Sequence, residues 1–122
     1  MRKFQVIILV TFSVLFLSSC ENTCNMTRQI NLITKHKWAI DSYIDYSINQ
    51  EIYIAPEKYT FSTDGTFLKL KSNDTIYGNW SIPDCNYLKI NEKTFKIAEL
   101  SRKMMVLRFG EIDFLYRSDD DK

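Results

Sequence analysis

The sequence predicts an all-β domain: about eight short antiparallel strands in chain order, preceded by one short helix and closed into an up-and-down barrel. Three observations predict it. From Lys37 onward apolar and polar residues alternate with a period of two, the mark of strands with one buried face. Turn residues cut that alternation at short, fairly even intervals, which forces neighbouring strands to run antiparallel. Closure then removes the sheet edges that a small all-β domain otherwise leaves exposed. A two-sheet β-sandwich uses the same strands and is the alternative.

The helix is expected over residues 26–36, where Ile30 and Ile33 stand three apart and Thr27 is placed to cap. In the first strand Trp38, Ile40, Ile44 and Tyr46 share one parity, with Asp41 and Asp45 on the other. Pro56 interrupts residues 51–62 and marks an edge, a bulge or a break. Tyr59 and Phe61 alternate with Lys58, Thr60 and Ser62. The turn Thr63-Asp64-Gly65 follows, the sharpest of the set, because glycine supplies the positive φ that a tight hairpin needs. Further turns are expected at Ser72-Asn73-Asp74, Pro83-Asp84, Asn91-Glu92, Ser101-Arg102 and Gly110. Between them, Ile76, Gly78, Trp80 and Ile82 share a face, as do Phe95 and Ile97. Met105, Leu107 and Phe109 alternate with Val106 and Arg108, and Ile112, Phe114 and Tyr116 with Asp113 and Arg117. The expected inward set is bulky: Trp38, Ile40, Phe61, Trp80, Ile82, Phe95, Leu107, Phe109 and Phe114.

Ahead of this body lies a different kind of segment. Met1, Arg2 and Lys3 form a basic start, and residues 4–17 form an apolar run without a charge, too short to span a bilayer comfortably. Leu17-Ser18-Ser19-Cys20 then resembles the lipobox of bacterial lipoproteins. The resemblance implies a signal peptide over 1–19 and a lipid on Cys20. Residues 20–26 would be a lipidated tether, 27–117 the barrel and 118–122 an acidic tail. Several acyl chains, at ~0.8 kcal/mol per buried methylene, make a near-permanent membrane anchor. The cell envelope follows as location, with the outer membrane of a Gram-negative bacterium favoured.

Setting the nineteen leader residues aside from 122 leaves 103, enough for one modest core and too few for two domains. With 45% hydrophobic, 14% aromatic and 25% charged residues, wholesale disorder is excluded. The leader removes two cations and no acids, leaving 14 Lys and Arg against 15 Asp and Glu. No basic excess points to nucleic acid. Cys24 and Cys85 remain as an even pair in an oxidising compartment, and a disulfide between them is expected.

Several segments carry a family resemblance. They are Leu32-Ile33-Thr34-Lys35-His36-Lys37-Trp38, Tyr59-Thr60-Phe61-Ser62-Thr63-Asp64-Gly65-Thr66-Phe67, Gly78-Asn79-Trp80-Ser81-Ile82, and Phe95-Lys96-Ile97-Ala98-Glu99-Leu100-Ser101 leading to Met105-Val106-Leu107. Together they resemble the short lipocalin-like domains of secreted Gram-negative lipoproteins, over nearly all of residues 32–117. The resemblance implies an eight-stranded barrel in which a tryptophan, here Trp38, opens the first strand and plugs one end. His36 departs from the pattern, standing where a glycine often precedes that tryptophan.

Trp38, Phe61 and Trp80 are therefore candidates for barrel-end packing or ligand contact, with packing the simpler account of aromatic residues at strand spacing. His36 is the only histidine, so neither a histidine-based metal set nor a histidine-dependent triad can be built. No glycine-rich phosphate loop exists, and the acids Asp41, Asp45, Glu51 and Glu57 form no recognisable pair. No cofactor, metal or catalytic residue is expected. The expected function is a monomeric, non-enzymatic lipoprotein binding a small apolar ligand in a shallow pocket at the barrel mouth. A protein-interaction, inhibitor or immunity lipoprotein is the alternative, with Tyr43, Tyr53 and the loops 47–57 and 83–87 as contacts, and an uncharacterised hydrolase is the third.

Overall fold

The chain is presented as a computed structural model that describes residues 24–119. The described residues begin with a helix, α1 (Met26–Lys35). The Asn25 side chain accepts a hydrogen bond from the Arg28 amide at 3.1 Å and caps the helix, a role that spacing had suggested for Thr27. Leu32 and Ile33 form its buried face, and Lys35 sits in the last turn, where the helix dipole favours a cation. His36 is extended and ends the helix, half-buried with its ring edge-on to Trp38.

Eight strands follow: β1 (Lys37–Asp45), β2 (Gln50–Phe61), β3 (Thr66–Lys71), β4 (Asp74–Asp84), β5 (Tyr87–Ile90), β6 (Lys93–Leu100), β7 (Met104–Phe109) and β8 (Ile112–Ser118). Each pairs antiparallel with the next, and β8 pairs with β1, so the sheet is a closed barrel and not a sandwich. The 62–65 turn is the expected hairpin, with Gly65 at φ +89°. β4 runs on through Pro83, which moves the next turn to Cys85-Asn86. β8 runs through Ser118, and the Asp119 amide donates to the Lys37 carbonyl at 2.7 Å.

The ladder is broken near Ile40. Against β8, three β1 steps from Ile40 to Tyr43 match two from Tyr116 to Phe114. Against β2, Ile40 pairs with Glu57 and Ser42 with Tyr53, leaving residues 54–56 as the bulge that Pro56 announces. A bulge inserts a residue into the alternation and exchanges the two faces beyond it. Tyr43, expected outside, packs its ring against Phe114 within the barrel. Ile44 and Tyr46, expected inside with Trp38 and Ile40, move to the outer face. There Ile44 pairs with Asp113, and the Tyr46 hydroxyl donates to the Asp113 carboxylate at 3.2 Å.

The two barrel ends differ. One carries α1, the turns 62–65, 85–86 and 101–103 and both chain ends of the domain. It is filled by Ile33, Trp38, Phe61, Leu88, Met105 and Leu107, all fully buried. Trp38 Nε1 donates to the Ile33 carbonyl at 3.0 Å, tying the helix to the strand it precedes, and Trp80 Nε1 donates to the Ser62 carbonyl at 2.8 Å. Burying such side chains contributes roughly 1.5–3 kcal/mol each. A disulfide joins Cys24 to Cys85, with Cα atoms 6.0 Å apart, and the Gln29 side chain donates to the Cys85 carbonyl. The other end carries the turns 46–49, 72–73, 91–92 and 110–111 and is open. Phe109, expected in the core, stands at this rim, 44% exposed, against Phe95.

Candidate functional site

The open half of the barrel holds a cavity of about 540 Å³. Its walls come from six strands: Ile40 and Tyr43 of β1, Ile54, Glu57 and Tyr59 of β2, Lys69 of β3, Ile90 of β5, Phe95 of β6, and Phe114 and Tyr116 of β8. Asn91, Glu92 and Lys93 form part of the rim. Away from the bulge, the wall residues follow from parity, while Tyr43 and Ile54 turn inward beyond it. Glu57 and Tyr59 are two apart and share a face, as do Phe67 and Lys69. Gly78 lets this arrangement close: a Cβ there would lie 2.5 Å from two Phe67 ring carbons and 2.6 Å from Asn91 Oδ1.

Most of the lining is apolar, and the aromatic rings contact one another. Tyr59 stacks on Phe61 at 5.8 Å between centroids and meets Tyr116 edge-on at 5.5 Å, and Phe114 meets Phe95 edge-on at 5.8 Å. One polar strip crosses this surface. Tyr116 donates its hydroxyl proton to the Tyr59 oxygen, and Tyr59 donates to Glu57 Oε1 at 3.3 Å. Lys69 Nζ stands 3.9 Å and Lys71 Nζ 3.7 Å from the same carboxylate, and Lys69 also lies 5.6 Å above the Tyr59 ring.

Burial pushes the Tyr59 phenol well above its ordinary range, and the neighbouring Glu57 charge adds to the rise. Burial likewise raises Tyr116, followed by its coupling to Tyr59. Both are therefore neutral hydroxyl donors at physiological pH. The arrangement offers an apolar enclosure, hydroxyls already committed to a chain ending on Glu57, and two ammonium groups. Among the described residues no group of three or more His, Cys, Asp or Glu side chains is placed to hold a metal ion.

The residues singled out from sequence fall elsewhere. Trp38, Phe61 and Trp80 belong to the filled end and do not line the cavity; Phe61 and Trp80 meet edge-on at 5.5 Å. Of the two roles open to them, they take packing. Cys24 and Cys85 form the disulfide at that same end. Cys20, the leader and residues 120–122 lie outside the described residues. Of the proposed contact residues, Tyr43 lines the cavity while Tyr53 is 75% exposed on the outer face. Residues 50–57 are strand, not loop. Glu57, Tyr59, Lys69 and Tyr116 are the polar residues that sequence reasoning passed over as a site. The signal was present in parity: counting back from Phe61 and forward from Phe67 places Tyr59, Glu57 and Lys69 inside.

No protein-family model matches the chain, and no curated protein matches it. Among solved structures, a lipocalin-like protein from Bacteroides uniformis matches with 20% identity and a TM-score of 0.55, covering 67% of this chain and 94% of that one. An uncharacterized protein from Bacteroides eggerthii matches with 18% identity and a TM-score of 0.59, covering 69% and 98%. The described residues therefore form a lipocalin-like barrel: eight antiparallel strands in up-and-down order, preceded by a short helix.

Proposed function

We propose that the chain is a lipid-anchored protein of the cell envelope whose barrel binds one small apolar molecule at its open end and catalyses no reaction. The cavity carries the binding reading. Its volume of about 540 Å³ lies in the range of small-molecule sites, and its walls are mainly aliphatic and aromatic. Filling of the opposite end by Trp38, Phe61 and Met105 confines any ligand to this half. The polar strip fits a binding role, since its phenols are held protonated as hydroxyl donors. The anchor is supported by the basic and apolar leader ending in Leu17-Ser18-Ser19-Cys20, and the outer membrane of a Gram-negative bacterium is the proposed location.

Titration with an environment-sensitive apolar fluorophore tests the binding reading. The wild-type protein should take up one equivalent, and Ile90→Trp, which fills the cavity, should abolish uptake while the far-ultraviolet spectrum is retained. Wild-type protein without uptake overturns the reading. Fractionation tests the anchor: Cys20→Ala should move the protein from the membrane to the soluble fraction.

A second reading, a protein-interaction lipoprotein, rests on the outer face of β3 and β4. There Tyr77, 74% exposed, pairs with Leu68, and Leu70 is 42% exposed beside it. Recovery of a stoichiometric envelope partner that Tyr77→Ser releases would support it.

A further inference from the structure

Lys69 is a cavity cation whose ion pair and ring contact are both long. It lies directly across the ladder from Tyr59, with its side chain only 23% exposed. Its ammonium has a carboxylate at 3.9 Å and an aromatic ring at 5.6 Å. Neither is a hydrogen bond, since N–H donors bond within about 3.2 Å. The same Glu57 Oε1 accepts from Tyr59, which in turn accepts from Tyr116. Those hydroxyl protons are committed; the protons of Lys69 are not.

Charge points the same way. The charged side chains that line the cavity balance, Glu57 with Lys69 and Glu92 with Lys93, and Lys71, half-exposed just outside the lining and 3.7 Å from Glu57, adds one positive charge at its edge. An ammonium beside an apolar wall, where the local dielectric is low, gains most from a charged acceptor.

We propose that the cavity takes an amphipathic anion, its apolar body along Ile40, Ile54, Ile90 and Phe114 and its carboxylate head on Lys69 with Lys71 beside it. This specificity rests on the cavity reading above and is tested apart from it. Calorimetric titrations use three ligands with one chain: decanoate, decan-1-ol and decyltrimethylammonium. Decanoate should bind at least about tenfold more tightly than decan-1-ol, the worth of one charge-assisted hydrogen bond, and the cation most weakly. Lys69→Met should erase the preference for decanoate and keep decan-1-ol binding; Lys69→Gln serves if the methionine variant does not fold. Equal binding of acid and alcohol by the wild type, or an unchanged ratio in the variant, overturns the anionic head and leaves the cavity standing. Binding of none of the three overturns both.

A different observation carries a second inference. The disulfide holds Cys24 to Cys85 at the filled end, opposite the open mouth. Cys24 follows Cys20 by four positions, and four residues reach at most about 14 Å. A domain of about 100 residues has a radius of gyration near 13 Å, so its two ends are more than about 25 Å apart. We infer that, on the lipid-anchor reading, the filled end faces the membrane and the mouth opens away from it, because the tether is too short for the barrel to invert.

The lipidated full chain in phosphatidylglycerol-containing vesicles tests this, with a dye at Thr63→Cys or at Asn73→Cys and a quencher carried by the lipid. Quenching should be several-fold stronger at position 63. Equal or stronger quenching at position 73 overturns the orientation; failure of the lipidated chain to partition overturns the anchor and the orientation with it.

Discussion

The hydroxyl of Tyr59 donates to the carboxylate of Glu57 from two residues along the same strand, both side chains turned into the barrel at a separation of 3.3 Å. A carboxylate on the inward face of an aromatic-lined barrel is acceptable because it has this donor and two ammonium groups around it. The strip costs little to bury as a unit and would cost much if any member were removed alone.

The first expectation concerns alkaline pH. Tyr59 and Tyr116 are raised in the folded barrel, so stability is intact below the ordinary phenol range and declines as pH rises through and above about 10, where only the unfolded chain readily ionises. Titration at the tyrosinate absorbance should show these two of the seven tyrosines resisting ionisation until the barrel opens. Tyr59→Phe should lower stability by about 1–2 kcal/mol near neutral pH, because Tyr116 and Glu57 each lose a partner. Urea denaturation measures it.

Gly78→Ala should destabilise the barrel by about 1–3 kcal/mol, since its Cβ would overlap the Phe67 ring between two strands that cannot separate. Pairing the change with Phe67→Leu should recover part of the loss, and a double-mutant cycle in urea reads the coupling.

On the outer face, Arg108 makes two hydrogen bonds to Asp113, 2.7 and 2.9 Å, and Tyr46 adds a third. Hydrogen bonding from Arg108 holds the Asp113 carboxyl below its ordinary value, against a burial that leaves it only 4% exposed. A depressed carboxyl stabilises the fold above its unfolded pKa, and that contribution is lost as pH falls through the folded one. Asp113→Asn should therefore lower the melting temperature at pH 7 and much less at pH 2–3. Equal losses at both pH values would exclude the charge as the cause.

Cys24 and Cys85 stand 61 positions apart, and their bond constrains a long unfolded loop. Cys24→Ser with Cys85→Ser should lower stability by about 2–4 kcal/mol while the barrel keeps its strands, because no ladder pair involves Cys24. Non-reducing mass spectrometry of the wild type should find no free thiol at either position.

Strand number, strand order and the initial helix are legible in the sequence, because period-two alternation and turn residues are local properties. A bond between Cys24 and Cys85 is expected on the reading that assigns Cys20 to a lipid, and the burial of Trp38 and Trp80 follows from their size and spacing. The site was less legible. Glu57 and Lys69 are polar residues that reach the interior by parity, and composition alone assigns charged residues to the surface. Tyr43 is inward, and Tyr46 outward, only because the ladder slips between Ile40 and Tyr43.

What the sequence determined by itself is the approximate number of strands and their antiparallel order. Only the tertiary structure decided that Trp38 and Phe61 fill one end while Tyr43, Lys69 and Phe114 enclose a cavity at the other. The physical reason is that alternation tells faces apart only along an unbroken ladder. A bulge exchanges those faces, and which end of a barrel is plugged depends on where the helix docks.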